Sequence, residues 1–130
     1  MNLADYFANQ TGVGVLATCD PGHKVDVAIY AKPHFIDENT VAFVMKQRRS
    51  HQNLRANLQA AYMFVEDGHT DKGLRMYLTM IRQETNRSLV AALRKKQPSI
   101  YPEEDDSDKF LVFFRIDQVR PLVGDDAAEL

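Results

Sequence analysis

The chain has 130 residues, one cysteine and a formal net charge of −2, with 45% hydrophobic and 26% charged residues. That length gives one domain, residues 1–130, able to bury a core without disulfide or metal staples, and that charge argues against a nucleic-acid binder. No apolar run approaches the roughly 20 residues of a spanning helix, Met1 to Phe7 carries no basic stretch and Cys19 has no internal disulfide partner, so a soluble, cytoplasmic protein is expected.

Leu3, Tyr6 and Phe7 stand at helical spacing, which predicts a short amphipathic helix over residues 3–9, broken by Thr11 and Gly12. Residues 13–19 read as a strand. Asp20, Pro21, Gly22 and His23 then read as a turn, with proline fixing φ and glycine accepting positive φ. A second strand follows, in which Val25, Val27, Ile29 and Ala31 alternate with Asp26, Ala28, Tyr30 and Lys32 and form the expected buried face. Past Pro33, Asp37 to Asn39 reads as another turn, and residues 41–45 as a third strand, completing an antiparallel meander.

Lys46, Arg48 and Arg49 crowd the next connection, followed by Ser50, which is placed to cap a short helix reaching about Asn57. Leu54 and Leu58 are expected on its core side. Residues 60–65 form the next strand. Together these pieces aim positive side chains, a hydroxyl and the free N–H groups of a helix N-terminus into one small volume, which suits a phosphate. A basic turn of this kind also serves as a plain solvated connection, and Ser50 as a cap alone.

Glu66 to Gly73 is polar and glycine-bounded, hence an exposed loop. Residues 74–85 are a long strand with Leu74, Met76, Leu78 and Met80 on one side and Arg75, Tyr77 and Thr79 on the other. Thr85 or Asn86 caps a helix with Leu89, Val90 and Leu93 on its apolar face and Arg94, Lys95 and Lys96 at its end, where the macrodipole favours cations. Residues 103–108 form an acidic, solvated loop. Residues 110–116 are apolar on both alternations, so that strand needs cover on both faces, from a barrel interior with a helix or from a second subunit. Six strands, short helices and no βαβ alternation predict a mainly β (α+β) fold, an antiparallel β-barrel with flanking helices.

The order strand, Arg48-Arg49-Ser50, Asn53-Leu54-Arg55-Ala56-Asn57-Leu58, strand resembles the pyridoxamine 5′-phosphate oxidase-like flavin-binding proteins, which carry a basic turn and then Asn-Leu-x-x-Asn-Pro. Leu58 stands where the family has proline. The resemblance runs from Gly14-Val-Leu-Ala-Thr18 to Arg120-Pro-Leu-Val-Gly124. It implies a six-stranded split barrel, a homodimer with two flavin sites at the subunit interface, and FMN as cofactor. It also implies that Arg49 and Ser50 hold the flavin phosphate with Lys46 and Arg48 in support, and that the isoalloxazine lies along Ala28, Ile29, Tyr30, Ala31 and Lys32. Met45 replaces a polar residue that relatives present there.

No His-x-x-x-His, Cys-x-x-Cys, Gly-x-Ser-x-Gly or phosphate-loop motif occurs, so no metal site or nucleophilic triad is assigned. His51 is the only histidine beside the basic turn and is expected to be a helix N1 residue. The resemblance points to an FMN-dependent oxidoreductase acting on a small molecule. It does not point to the vitamin-B6 oxidase itself, whose C-terminal Arg and His segment has no counterpart here. The alternatives are a non-catalytic flavin or deazaflavin carrier or sensor, and a dimeric barrel that binds another phosphorylated small molecule.

Overall fold

The computed structural model describes residues 2–46, 49–85, 87–96 and 109–124. Arg48, Asn86 and the acidic run 103–108 lie outside them, as do the side chains of Arg94 and Lys96. In chain order the elements are α1 (Leu3–Asn9), β1 (Gly12–Cys19), β2 (Val25–Tyr30), β3 (His34–Asp37), β4 (Thr40–Lys46), α2 (Arg49–Ala56), β5 (Gln59–Glu66), β6 (Gly73–Glu84), α3 (Arg87–Lys96) and β7 (Lys109–Pro121).

Among the described residues seven strands, not six, form one antiparallel sheet in the order β2-β1-β5-β6-β7-β4-β3. The additional strand is β3, four residues after Pro33 that pair back onto β4 through a bulge between Phe35 and Asp37. So short a strand has too few alternations to show a period, and in the sequence it merges with the turn that follows it. The sheet curls around one core of Leu16, Phe43, Met45, Tyr62, Phe64, Met76 and Phe114 but is not closed. Its two end strands, β2 and β3, are consecutive in sequence, so the split falls at the three-residue link 31–33. The Tyr62 hydroxyl braces that link from inside by donating to the Ala31 carbonyl at 3.1 Å and the Tyr30 carbonyl at 3.4 Å.

β7 is apolar on both alternations because it is covered on both faces. Val112 and Phe114 enter the barrel core, while Leu111 and Phe113 meet Val90, Leu89 and Leu93 of α3. Of the two covers the sequence allowed, barrel interior with a helix or second subunit, the chain's own core and helix supply it. β2 shows the reverse of its expected alternation. Asp26, Ala28 and Tyr30 point inward, with the Tyr30 ring edge-on to Phe43, while Val25, Val27 and Ile29 are 79%, 66% and 54% exposed. In the turn before β2 the left-handed residue is His23, with φ 66°, rather than Gly22. The Asp20 carboxylate fixes that turn by accepting from the N–H groups of Gly22 and Lys24.

α2 is held by the residues of its own motif. Asn53 donates to Thr18 Oγ1 of β1 at 3.0 Å, and Leu54 is fully buried in the core. Asn57 ends the helix and starts β5 by accepting from the Gln59 N–H. Leu58 does not share the core with Leu54; it is exposed, and its carbonyl accepts from the Met80 N–H.

Candidate functional site

The basic corner forms where β4 ends and α2 begins. Arg49 is the first residue of α2 and is exposed. Ser50 lies inside the first turn rather than capping it, and its hydroxyl is buried, 3.5 Å from Asp26 Oδ2 of β2. Lys46 closes β4 directly opposite Lys109, the buried first residue of β7. The structure thus brings Arg49, Ser50 and Lys46 to one end of the barrel. Lys109 joins them there, placed by a register that sequence order alone does not reveal.

His51 is the third residue of α2 rather than N1, and it is buried. Its ring stacks on Phe110 with centroids 4.1 Å apart and planes at 14°. Its Nε2–H donates to Gln83 Oε1 at 2.6 Å, while Nδ1 is buried without a hydrogen-bond partner. One imidazole therefore fixes both an aromatic ring and an amide that line an open cleft of about 660 Å³, together with Glu84 and Thr85. Nothing around His51 in the sequence signals this, because both partners are more than 30 residues away.

β2 packs beside α2 and forms an end of the sheet, pairing among the described strands with β1 alone. Its other edge offers backbone N–H and C=O groups to a ligand. Of the five residues singled out along it, those within the strand alternate between two faces. Ala28 and Tyr30 share the face of Asp26, and Ile29 projects from the opposite face. The carbonyls of Tyr30 and Ala31 accept from Tyr62. The Lys32 ammonium donates to the carbonyls of Phe7 and Gln10, where it ties the C-terminal end of α1 to the split. Met45 is buried in the core.

Burial raises the Tyr62 phenol well above its ordinary value, and burial together with the Glu66 carboxylate 2.6 Å away raises Tyr6. Both belong to the frame rather than to the corner. Among the described residues no three metal-ligating side chains cluster, and no helix is long and apolar enough to cross a membrane.

The corner and the edge fit a cofactor with an anionic tail and a planar head. Arg49, Ser50 and the first N–H groups of α2 suit a phosphate, and the outer edge of β2 suits the polar rim of a ring.

No family model and no curated protein matches this chain. Solved structures do. An F420 reductase is 17% identical with a TM-score of 0.70, over 88% of this chain and 94% of its own. An FMN-binding protein from Syntrophomonas wolfei is 15% identical with a TM-score of 0.76, over 92% and 83%. A protein from Clostridium acetobutylicum related to general stress protein 26, of the pyridoxinephosphate oxidase family, is 13% identical with a TM-score of 0.62, over 90% and 83%. Seven antiparallel strands, an open seam and these likenesses give one answer for the architecture: the chain has the split-barrel fold of the pyridoxamine 5′-phosphate oxidase-like proteins.

Proposed function

We propose that this protein binds FMN, with the phosphate at Arg49, Ser50 and Lys46 and the isoalloxazine along the outer edge of β2, and that it is a flavin-dependent oxidoreductase acting on a small molecule. The observation that carries the reading is the meeting of a basic helix start with an end strand of the sheet at one end of a split barrel. The fold is shared with a protein named for FMN binding and with an F420 reductase. That second likeness favours a deazaflavin as the other candidate cofactor. A bound flavin would supply hydride or electron transfer, and the chain's part would be to hold the phosphate, align the ring and limit water.

The active form in this reading is a homodimer. Val25, Val27 and Ile29 of β2 adjoin Val15 and Ala17 of β1, and Val13 and Met63 beside them are 49% and 39% exposed. A contiguous apolar sheet face of this kind marks an interface. The test is an absorption spectrum of the purified protein before and after FMN is added and desalted away, followed by reduction with NADPH and reoxidation by an added acceptor. Retained flavin absorbance that bleaches and returns is expected. A protein that stays colourless overturns the flavin reading, and a flavin that binds but never turns over leaves a carrier.

A further inference from the structure

Asp26 was no part of the basic corner as read from the sequence, yet its carboxylate lies 3.5 Å from the Ser50 hydroxyl. It belongs to β2, one full alternation before Ala28, so both side chains leave the strand on the same face. The axial distance between them is about 7 Å, two residues of strand rise. An anionic tail held at Ser50 and a planar head aligned from Ala28 onward leave the carboxylate beside whatever joins the two. A carboxylate is acceptor-only and calls for hydroxyl or N–H donors there, not for a further anion. The 3.5 Å separation from Ser50 is at the outer limit for a hydroxyl donor, so the hydroxyl is free to turn to a ligand without breaking a strong bond.

We propose that Asp26 is a specificity-determining residue that accepts hydrogen bonds from a polyhydroxyl linker between phosphate and ring, as the ribityl chain of a flavin provides. This rests on the flavin reading of the site. It adds a requirement that the phosphate corner and the strand edge do not impose, since those two alone would take any planar phosphate ester.

Three probes separate the contributions by titration of flavin fluorescence at neutral pH: FMN, riboflavin without the phosphate, and lumiflavin without the polyol. Asp26→Ala is expected to weaken FMN and riboflavin by the same factor, roughly tenfold or more for a lost charge-assisted bond, and to leave lumiflavin unchanged. Asp26→Asn keeps the shape and one acceptor and should weaken both by less, which also guards against misfolding of the alanine variant. If FMN binds Asp26→Asn more tightly while riboflavin does not change, the carboxylate merely opposes the phosphate and the proposal fails. If the wild type binds FMN and neither variant alters any of the three affinities, the proposal fails while the flavin reading stands. A wild type that binds none of the probes removes both.

Discussion

Arg49 is the side chain of the corner with the greatest reach and the fewest structural duties: it opens α2, is exposed and presents a planar fork suited to two parallel bonds to phosphate oxygens. Arg49→Ala should weaken FMN binding by about 1.5–3 kcal/mol, roughly 10- to 150-fold, and leave riboflavin binding unchanged. An equal loss for both ligands would mean that the arginine supports the ring or the fold and not the phosphate. The residue pattern 46–50 made this corner legible from sequence because charge, hydroxyl and helix start are consecutive. Asp26, Lys109, Gln83 and Phe110 were not legible as its neighbours, since each is delivered by a strand register or a helix packing that joins distant segments. The burial of His51 was not legible for the same reason: it depends on a ring and an amide that only the folded sheet supplies.

At the level of elements, Tyr62 binds β5 to the link that closes β2 onto β3. Its phenol is raised, so the folded chain keeps the proton at a pH where the unfolded chain releases it. The resulting stability is fully present below about pH 10, where a free phenol titrates, and is lost as pH climbs toward the folded value, with a slope of about 1.4 kcal/mol per pH unit from this group. Tyr6, raised by burial and by Glu66, acts in the same direction. Urea unfolding at pH 8 and pH 10.5 should therefore show a clear alkaline loss in the wild type. In Tyr62→Phe that loss should be smaller, alongside about 1 kcal/mol less stability at pH 8 from the missing hydrogen bonds. Equal alkaline losses in both proteins would show that the phenol ionises as readily inside as outside.

The inverted alternation of β2 belongs to the same scale. A strand with apolar residues at 25, 27 and 29 reads as buried on that face, and the sequence signal is correct about apolarity while silent about what covers it. Within one chain the inward positions go to Asp26 and Tyr30, because the first meets α2 and the second meets Phe43. The apolar set is left on the outside, with Val25, Val27 and Ile29 exposed.

For the whole molecule, that face sets the expectation for solution behaviour. Light scattering should give a dimer, and Val27→Glu, which puts a charge in the middle of the exposed stripe, should shift it to monomer while preserving the fold by circular dichroism. A variant that remains dimeric would place the interface elsewhere. Strand type and the double cover of β7 could be read from period and composition. The strand count and the open seam could not, since β3 is only four residues long and closure is a property of pairing order, not of any segment.

That pairing order also constrains how the chain can assemble. Hairpins β1–β2, β3–β4 and β5–β6 are local and can form as their residues meet, and β1 then adds to β5. No ladder of hydrogen bonds joins the four-stranded piece β2-β1-β5-β6 to the pair β4-β3 except through β7, the last strand in sequence, which pairs with β6 on one side and β4 on the other. A ribosome would therefore deliver two unfinished half-sheets, each with an open inner edge, and the keystone that joins them would emerge only after both. Until it docks, the basic corner lacks Lys109 and the stacking ring of Phe110, so that corner is completed late in the assembly of the chain.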